Sequence, residues 1–222
     1  MSQLIDAISK IRPSVVAVGF TFPPKNELGA DDIAGSGFII SEDGYVCTCA
    51  HVVSGKQGQL RVAVRGEGDN YPHAPSDVVL IDKERDIAII KLPPPDLGNT
   101  KISFVPVKIG DSLSVREGLD VAFCGFPFGG GTGGGFSPST TKGIIAAQRL
   151  LKIGDASIHH FQLDAMTMEG NSGAPLFNIE TGEVIGIISA RFDPLMKGNI
   201  PQIIVGGRPL GFPTNIGFAI PI

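Results

Sequence analysis

The chain has 222 residues, a formal net charge of -4, 42% hydrophobic and 18% charged residues; it is long enough to bury one large core or two smaller ones and too apolar for intrinsic disorder. A pI near 5.5 supplies no basic field for nucleic acid, and no stretch approaches the roughly 18 uninterrupted apolar residues of a membrane span. Three cysteines, Cys47, Cys49 and Cys124, make a disulfide scaffold a poor reading and reduced thiols the expectation; with no basic start or continuous apolar leader, the chain as given is expected in the cytoplasm, the alternative being an exported or organellar protein whose targeting segment has been removed.

Leu4, Ile5 and Ile8 stand at helical spacing, so residues 1–11 form a short amphipathic opening. After it the signal changes to runs of four to eight residues rich in Val, Ile and Phe. Strands are predicted at 14–20, 37–40, 45–51, 60–64, 78–81 and 87–92, then at 105–109, 121–126, 143–147, 158–163, 173–177, 184–190 and 216–220. Turn chemistry separates them: Ser41-Glu42-Asp43-Gly44 and Glu180-Thr181-Gly182-Glu183 read as hairpin loops, and Pro93-Pro94-Pro95 as a connection neither sheet nor helix continues through. Short strands at this spacing without long helices mean an all-β sandwich or barrel. The Pro-rich stretch around 93–104 divides them into two sets of about six, giving expected units at 12–104 and 105–222. The glycine-rich run from Gly125 to Gly135 lacks the Gly-Lys-Ser/Thr ending of a phosphate loop and reads as a surface loop.

Four histidines, His51, His73, His159 and His160, limit the search for a general base. His159 and His160 would point to opposite faces of a strand, and His73 sits in a polar, proline-flanked segment. No His-Glu-x-x-His or paired Cys-x-x-Cys occurs, and neither metal nor cofactor is expected. His51 differs, because it ends the apolar run Tyr45-Val46-Cys47-Thr48-Cys49-Ala50, where a scaffold can hold an imidazole at a cleft edge. In Gly170-Asn171-Ser172-Gly173-Ala174-Pro175, small residues around one serine let backbone N–H groups converge as an oxyanion requires. Asp86 enters the apolar run Ile87-Ala88-Ile89-Ile90 and is a turn cap unless a histidine needs orienting. The chain order His, Asp, Ser is a known arrangement of an oriented nucleophile. It disfavours an α/β-hydrolase, whose histidine follows the serine; Ser139-Thr140-Thr141-Lys142 fits Ser-x-x-Lys, but a strand rather than a helix follows.

Gly35-Ser36-Gly37-Phe38-Ile39-Ile40, Cys49-Ala50-His51-Val52-Val53, Asp86-Ile87-Ala88-Ile89-Ile90-Lys91, Gly170 to Phe177 and Ile216 to Pro221 together resemble the trypsin/chymotrypsin-like serine proteases, in their HtrA (Deg) branch, as a protease domain without PDZ. The resemblance implies two six-stranded antiparallel β-barrels with the active site in the cleft between them. It makes Ser172 the nucleophile, His51 the general base and Asp86 its orienting carboxylate, with the N–H groups of Gly170 and Ser172 as oxyanion donors and Asn171 shaping that loop. It places Met166 at the floor of the pocket for the residue before the scissile bond, which favours small or medium apolar side chains there. Ile188, Ser189 and Ala190 become the edge that pairs with the substrate backbone, with Arg191 close by.

The implied activity is an endopeptidase acting on unfolded or flexible protein segments; a catalytically silent chaperone or binding module on the same fold is the alternative. The resemblance further suggests a homotrimer with Phe20 and Phe22 as contacts, and regulatory loops in the glycine-rich stretch with Phe128 and at Arg149 to Asp155. Two departures stand out. Neutral Asn171 precedes the serine, so activation by an N-terminal ion pair is not expected. Ala174 stands where the family usually has glycine, which puts one extra methyl beside the nucleophile.

Overall fold

The apolar spacing of the opening residues does form a helix. In a computed structural model, α1 spans Gln3–Ile11, burying Ala7 and Ile11 with Leu4 and Ile8 packed beside them. The structure describes residues 2–22, 24–25, 27–66, 70–97, 100–127, 137–153, 156–189, 203–205, 208–210 and 215–222. Pro13 in a single 3-10 turn at Arg12–Ser14 ends the helix and starts the first strand.

The first half of the chain carries β1 (Val15–Thr21), β2 (Ile33–Ile39), β3 (Tyr45–Thr48), helix α2 (Ala50–Val53), β4 (Gln59–Ala63), β5 (His73–Pro75), β6 (Asp77–Asp82) and β7 (Ile87–Lys91). Two short strands, β8 (Asp96–Leu97) and β9 (Thr100–Lys101), pair with each other and bridge to the second half. There follow β10 (Asp120–Gly125), β11 (Ser139–Ile153), β12 (Ala156–Leu163), β13 (Pro175–Asn178), β14 (Val184–Ile188), β15 (Ile203–Val205), β16 (Arg208–Leu210) and β17 (Gly217–Pro221).

The first seven strands form one sheet in the order β5-β4-β1-β2-β3-β7-β6, antiparallel throughout. Its two outermost strands, β5 and β6, are consecutive in sequence and separated only by Ser76, whose N–H donates to the Leu60 carbonyl on β4. The sheet therefore curls until its ends meet at one bent strand. The second half is a closed six-stranded barrel, β10-β11-β12-β17-β14-β13. The all-β class expected from strand spacing is what the chain adopts; of the two six-stranded barrels that the resemblance implied, the second is closed with six strands, while the first is a curled sheet of seven, the short β5 being the added strand.

Both loops read as hairpin turns are tight because glycine reaches left-handed φ, Gly44 at 82° and Gly182 at 72°. Residues 105–109 do not form the expected strand. Pro106 has no N–H to give a ladder, and the segment makes one bond from Val107 N–H to the Ile39 carbonyl and one isolated bridge, Ile109 to Val184. Nor does the apolar run 45–51 remain a strand: β3 ends at Thr48, Cys49 stays extended, and α2 begins at Ala50.

One apolar cluster fills the closed barrel, with Phe123, Phe161, Leu163, Leu176 and Ile188 among its members. A second fills the curled sheet and continues across the junction through Cys124, Phe126, Ile187 and Ile220. Ile188 and Ala219 pair in register and face into the closed barrel, while their neighbours Ile187 and Ile220 face the other half. That alternation of period two is what docks one body on the other.

Candidate active site

Asp86 is the most constrained residue of the site. It closes the turn after β6, where Arg85 N–H is held by Asp82, and at φ 58° it is the one non-glycine residue with positive φ among those described. The left-handed pose costs about 1 kcal/mol. Hydrogen bonds offset it: the Asp86 carbonyl accepts from Ala50 N–H at 3.1 Å, and Oδ1 accepts from His51 N–H at 2.9 Å. Oδ2 accepts from His51 Nδ1–H at 2.7 Å and from the Ser189 hydroxyl at 3.0 Å. The carboxylate is 1% exposed and the imidazole 27%, so the charge is sealed on one side while the ring reaches solvent on the other. Burial by itself would raise the Asp86 pKa; the bond to and charge of His51, its N–H and the Ser189 hydroxyl outweigh that and hold it below the usual carboxylate value.

His51 thus sits on the one-turn helix α2 rather than at a strand end. Buried Ala50, Val52 and Val53 fasten that turn to the core. With Nδ1 committed as a donor to Asp86, Nε2 is the nitrogen left to act as a base.

Ser172, 5% exposed, lies on the loop before β13. Gly170 and Gly173 in this loop adopt φ 91° and 89°, and a Cβ at Gly173 would lie 2.0 Å from the Ser36 carbonyl oxygen, so only glycine fits there. Asn171 is buried, and its N–H donates to the Met168 carbonyl at 3.0 Å, bracing the loop. A single carbonyl joins this loop to α2: Ile188 O accepts from Gly173 N–H at 2.8 Å and from the Cys49 thiol at 3.3 Å. Gly173, next to Ser172, and Cys49, two residues before His51, are in this way pinned to one atom of β14.

The extra methyl of Ala174 is accommodated by a missing one. Gly125 faces it, and a Cβ on Gly125 would fall 2.9 Å from the Ala174 Cβ and 2.8 Å from the Ser36 Oγ.

The expected substrate-side residues divide. Met166 is half-buried. Ile188 turns its side chain into the closed barrel, and its N–H donates to the Ala174 carbonyl, so no backbone group of Ile188 is left to pair with a substrate. The Ser189 side chain belongs to the Asp86 network, a role its sequence position alone did not suggest. Ala190 and Arg191 lie outside the described residues, as do Phe128 with most of the glycine-rich run, and Gly154 and Asp155. Of the other histidines, His159 is exposed and His160 buried, on opposite faces of β12, while His73 Nε2 accepts from Leu28 N–H at 3.1 Å.

Cys49, His51 and Asp86 bring ligand-type atoms within 4.8 Å of one another, a grouping a metal ion could use. His51 and Asp86 are however engaged with each other, and burial with the nearby Asp86 charge pushes the Cys49 thiol well above its ordinary pKa. The arrangement is that of an imidazole oriented by a buried carboxylate. Sequence reasoning passed over Ser36, fully buried between two glycines, which bonds directly to the serine loop.

The profile of the trypsin-like peptidase domain matches residues 35–187. The chain is 35% identical over 204 residues to a protein from Xenopus tropicalis named serine protease HTRA1, covering 90% of this chain and 40% of that one. It is 41% identical over 162 residues to a protein of Brucella suis biovar 1 (strain 1330) named probable periplasmic serine endoprotease DegP-like, covering 72% of this chain and 28% of the other. The chain therefore spans less than half of these relatives. Among solved structures it superimposes on the HtrA-type protease AlgW with tripeptide at a TM-score of 0.68 and 28% identity, over 98% of this chain and 59% of that one. Deg5 matches in fold at a TM-score of 0.69 and 24% identity, over 99% of this chain and 88% of that one.

Proposed function

The chain belongs to the trypsin-like peptidase domain family, and from that premise we propose that it is a serine endopeptidase working through an acyl-enzyme. The observation that carries the reading is the buried Asp86 carboxylate holding His51 Nδ1 at 2.7 Å. In this scheme His51 Nε2 takes the Ser172 proton as Oγ adds to the scissile carbonyl carbon. Asp86 stabilises the imidazolium formed, and the N–H groups of Gly170 and Ser172 receive the oxyanion. Collapse of the tetrahedral adduct breaks the C–N bond, and the departing amine takes the proton from His51. Water then repeats the sequence on the acyl-enzyme.

Half-buried Met166 supports an apolar pocket for small or medium side chains before the scissile bond, and the substrate-pairing edge starts no earlier than the Ser189 carbonyl. Substrates are unfolded or flexible protein segments, since an extended backbone is what such an edge can pair. A homotrimer through the N-terminal region is supported by exposed Phe22; sedimentation of a Phe22→Asp variant as a monomer, against a wild-type trimer, tests it. The cytoplasmic expectation is withdrawn. Cys47, Cys49 and Cys124 are all buried, so their reduced state reports on packing rather than on a compartment, and bacterial relatives are named as periplasmic; we place the protein in an exported compartment.

The test is a fluorophosphonate probe and casein cleavage, compared between wild type and Ser172→Ala. Labelling and cleavage that vanish in the variant support the reading. A correctly folded wild type that neither labels nor cleaves, yet suppresses aggregation of an unfolded protein, would establish the silent binding module instead.

A further inference from the structure

The Ser36 side chain lies at the meeting point of three segments that the mechanism treats separately. Its hydroxyl is fully buried. It accepts from Phe126 N–H at 2.9 Å and donates to the Gly170 carbonyl at 2.7 Å. The direction of this chain is not open to choice, because an amide can only donate and a carbonyl can only accept. The single hydroxyl proton is therefore committed to Gly170, and the two bonds polarise each other in the same sense. The Ser36 backbone N–H donates to the Ser172 carbonyl at 2.8 Å, and its own carbonyl accepts from the Thr48 hydroxyl at 2.7 Å. One residue of β2 thus fixes the carbonyls of both Gly170 and Ser172, the residues whose N–H groups are the proposed oxyanion donors.

A glycine at φ 91° has no Cβ to restrict its ψ, so the orientation of the peptide after Gly170 depends on what its carbonyl bonds. We propose that Ser36 is the positioning residue of the oxyanion loop, setting the Gly170 backbone through its hydroxyl and tying it to Phe126 at the start of the glycine-rich run. This rests on the peptidase reading. Ser36 touches no substrate; it acts through Gly170 and Ser172. Any movement of Phe126 that draws its N–H away weakens the Ser36 hydroxyl as a donor to Gly170.

The experiment compares Ser36→Ala, Ser36→Cys and Thr48→Val with wild type. Thr48→Val disturbs the same buried network without touching the Gly170 carbonyl, and so reports what loss of structure alone does. For Ser36→Ala, kcat falls about 10- to 100-fold with KM within about threefold, less than the roughly 100- to 1000-fold of deleting an oxyanion donor outright. Affinity for a peptidyl trifluoromethyl ketone, on which Ser172 Oγ forms a tetrahedral oxyanion as its proton passes to His51, falls by the same factor as kcat. Affinity for the corresponding product peptide stays within about threefold of wild type. Ser36→Cys, which keeps the shape and a weak donor, is intermediate and covers the case in which the alanine variant does not fold. Equal kcat losses in Ser36→Ala and Thr48→Val at equal loss of Tm, or unchanged kcat in Ser36→Ala, overturn the proposal while wild type still cleaves. An inactive wild type removes the peptidase reading and this role with it.

Discussion

Removing the Ser189 hydroxyl isolates what holds the buried charge of the site. Asp86 receives three hydrogen bonds on its carboxylate, from His51 N–H at 2.9 Å, His51 Nδ1 at 2.7 Å and Ser189 at 3.0 Å, and Ser189 is fully buried beside it. A hydrogen bond to a charged group contributes about 1.5–3 kcal/mol, so Ser189→Ala destabilises the fold by about 2 kcal/mol at neutral pH. The effect depends on pH in a defined sense. The folded pKa of Asp86 lies below the ordinary aspartate value of 3.8, so its contribution is fully present above the unfolded value and is lost as pH falls through the folded one. Without the Ser189 donor the folded pKa rises, and that loss begins at higher pH. Urea denaturation of both proteins at half-unit intervals from pH 7 down to the acid-unfolding limit therefore gives a stability difference that is constant near neutrality and shrinks as pH falls through the folded value of the variant and then that of the wild type. A difference that keeps its size all the way down, while the wild type loses stability in acid, would refute the reasoning, since it would show that the hydroxyl fills space and does not hold the charge.

The Gly125 and Ala174 pair predicts coupling. Gly125→Ala places a Cβ 2.8 Å from Ser36 Oγ and 2.9 Å from the Ala174 methyl, an overpacking cost of about 1–3 kcal/mol; adding Ala174→Gly recovers about 1 kcal/mol, and additive unfolding energies would show that the two do not touch. His73 predicts an acid-sensitive tie. Its Nε2 accepts from Leu28 N–H at 3.1 Å, which only an unprotonated nitrogen can do, and burial together with the Arg61 guanidinium pushes its pKa below 6.5. Stability from this bond is complete above pH 6.5 and is lost as pH falls toward the folded value, so Leu28 amide exchange, corrected for intrinsic rate, accelerates between pH 7 and pH 5 in wild type. The tie is not what protects that amide if the rate does not change.

Strand positions and the residue types of the site were readable because both depend on local pattern: period-two apolar runs, turn glycines, and a serine flanked by small residues. What the pattern did not carry is where backbone direction changes within an apolar run. Tyr45 to His51 looks like uninterrupted strand, but extended Cys49 starts a helix for reasons that lie in the Asp86 carbonyl 36 residues from Ala50, a contact no window sees. Asp86 itself reads as a strand start, and its left-handed φ is imposed by four bonds made across the fold. Residues 105–109 failed for a local reason that was available, since Pro106 cannot donate to a ladder. Ser189 illustrates a last limit. Alternation says which residues share a face, while which neighbour waits on that face is set by how the two bodies dock.

The junction at the Ile188 carbonyl has a consequence for the newborn chain. His51 and Asp86 belong to the curled sheet, Ser172 and Ser189 to the closed barrel, and the bonds that register them link positions 103 and 139 residues apart. Neither half holds a working constellation alone, so whatever chemistry this site performs is the last property to emerge during folding.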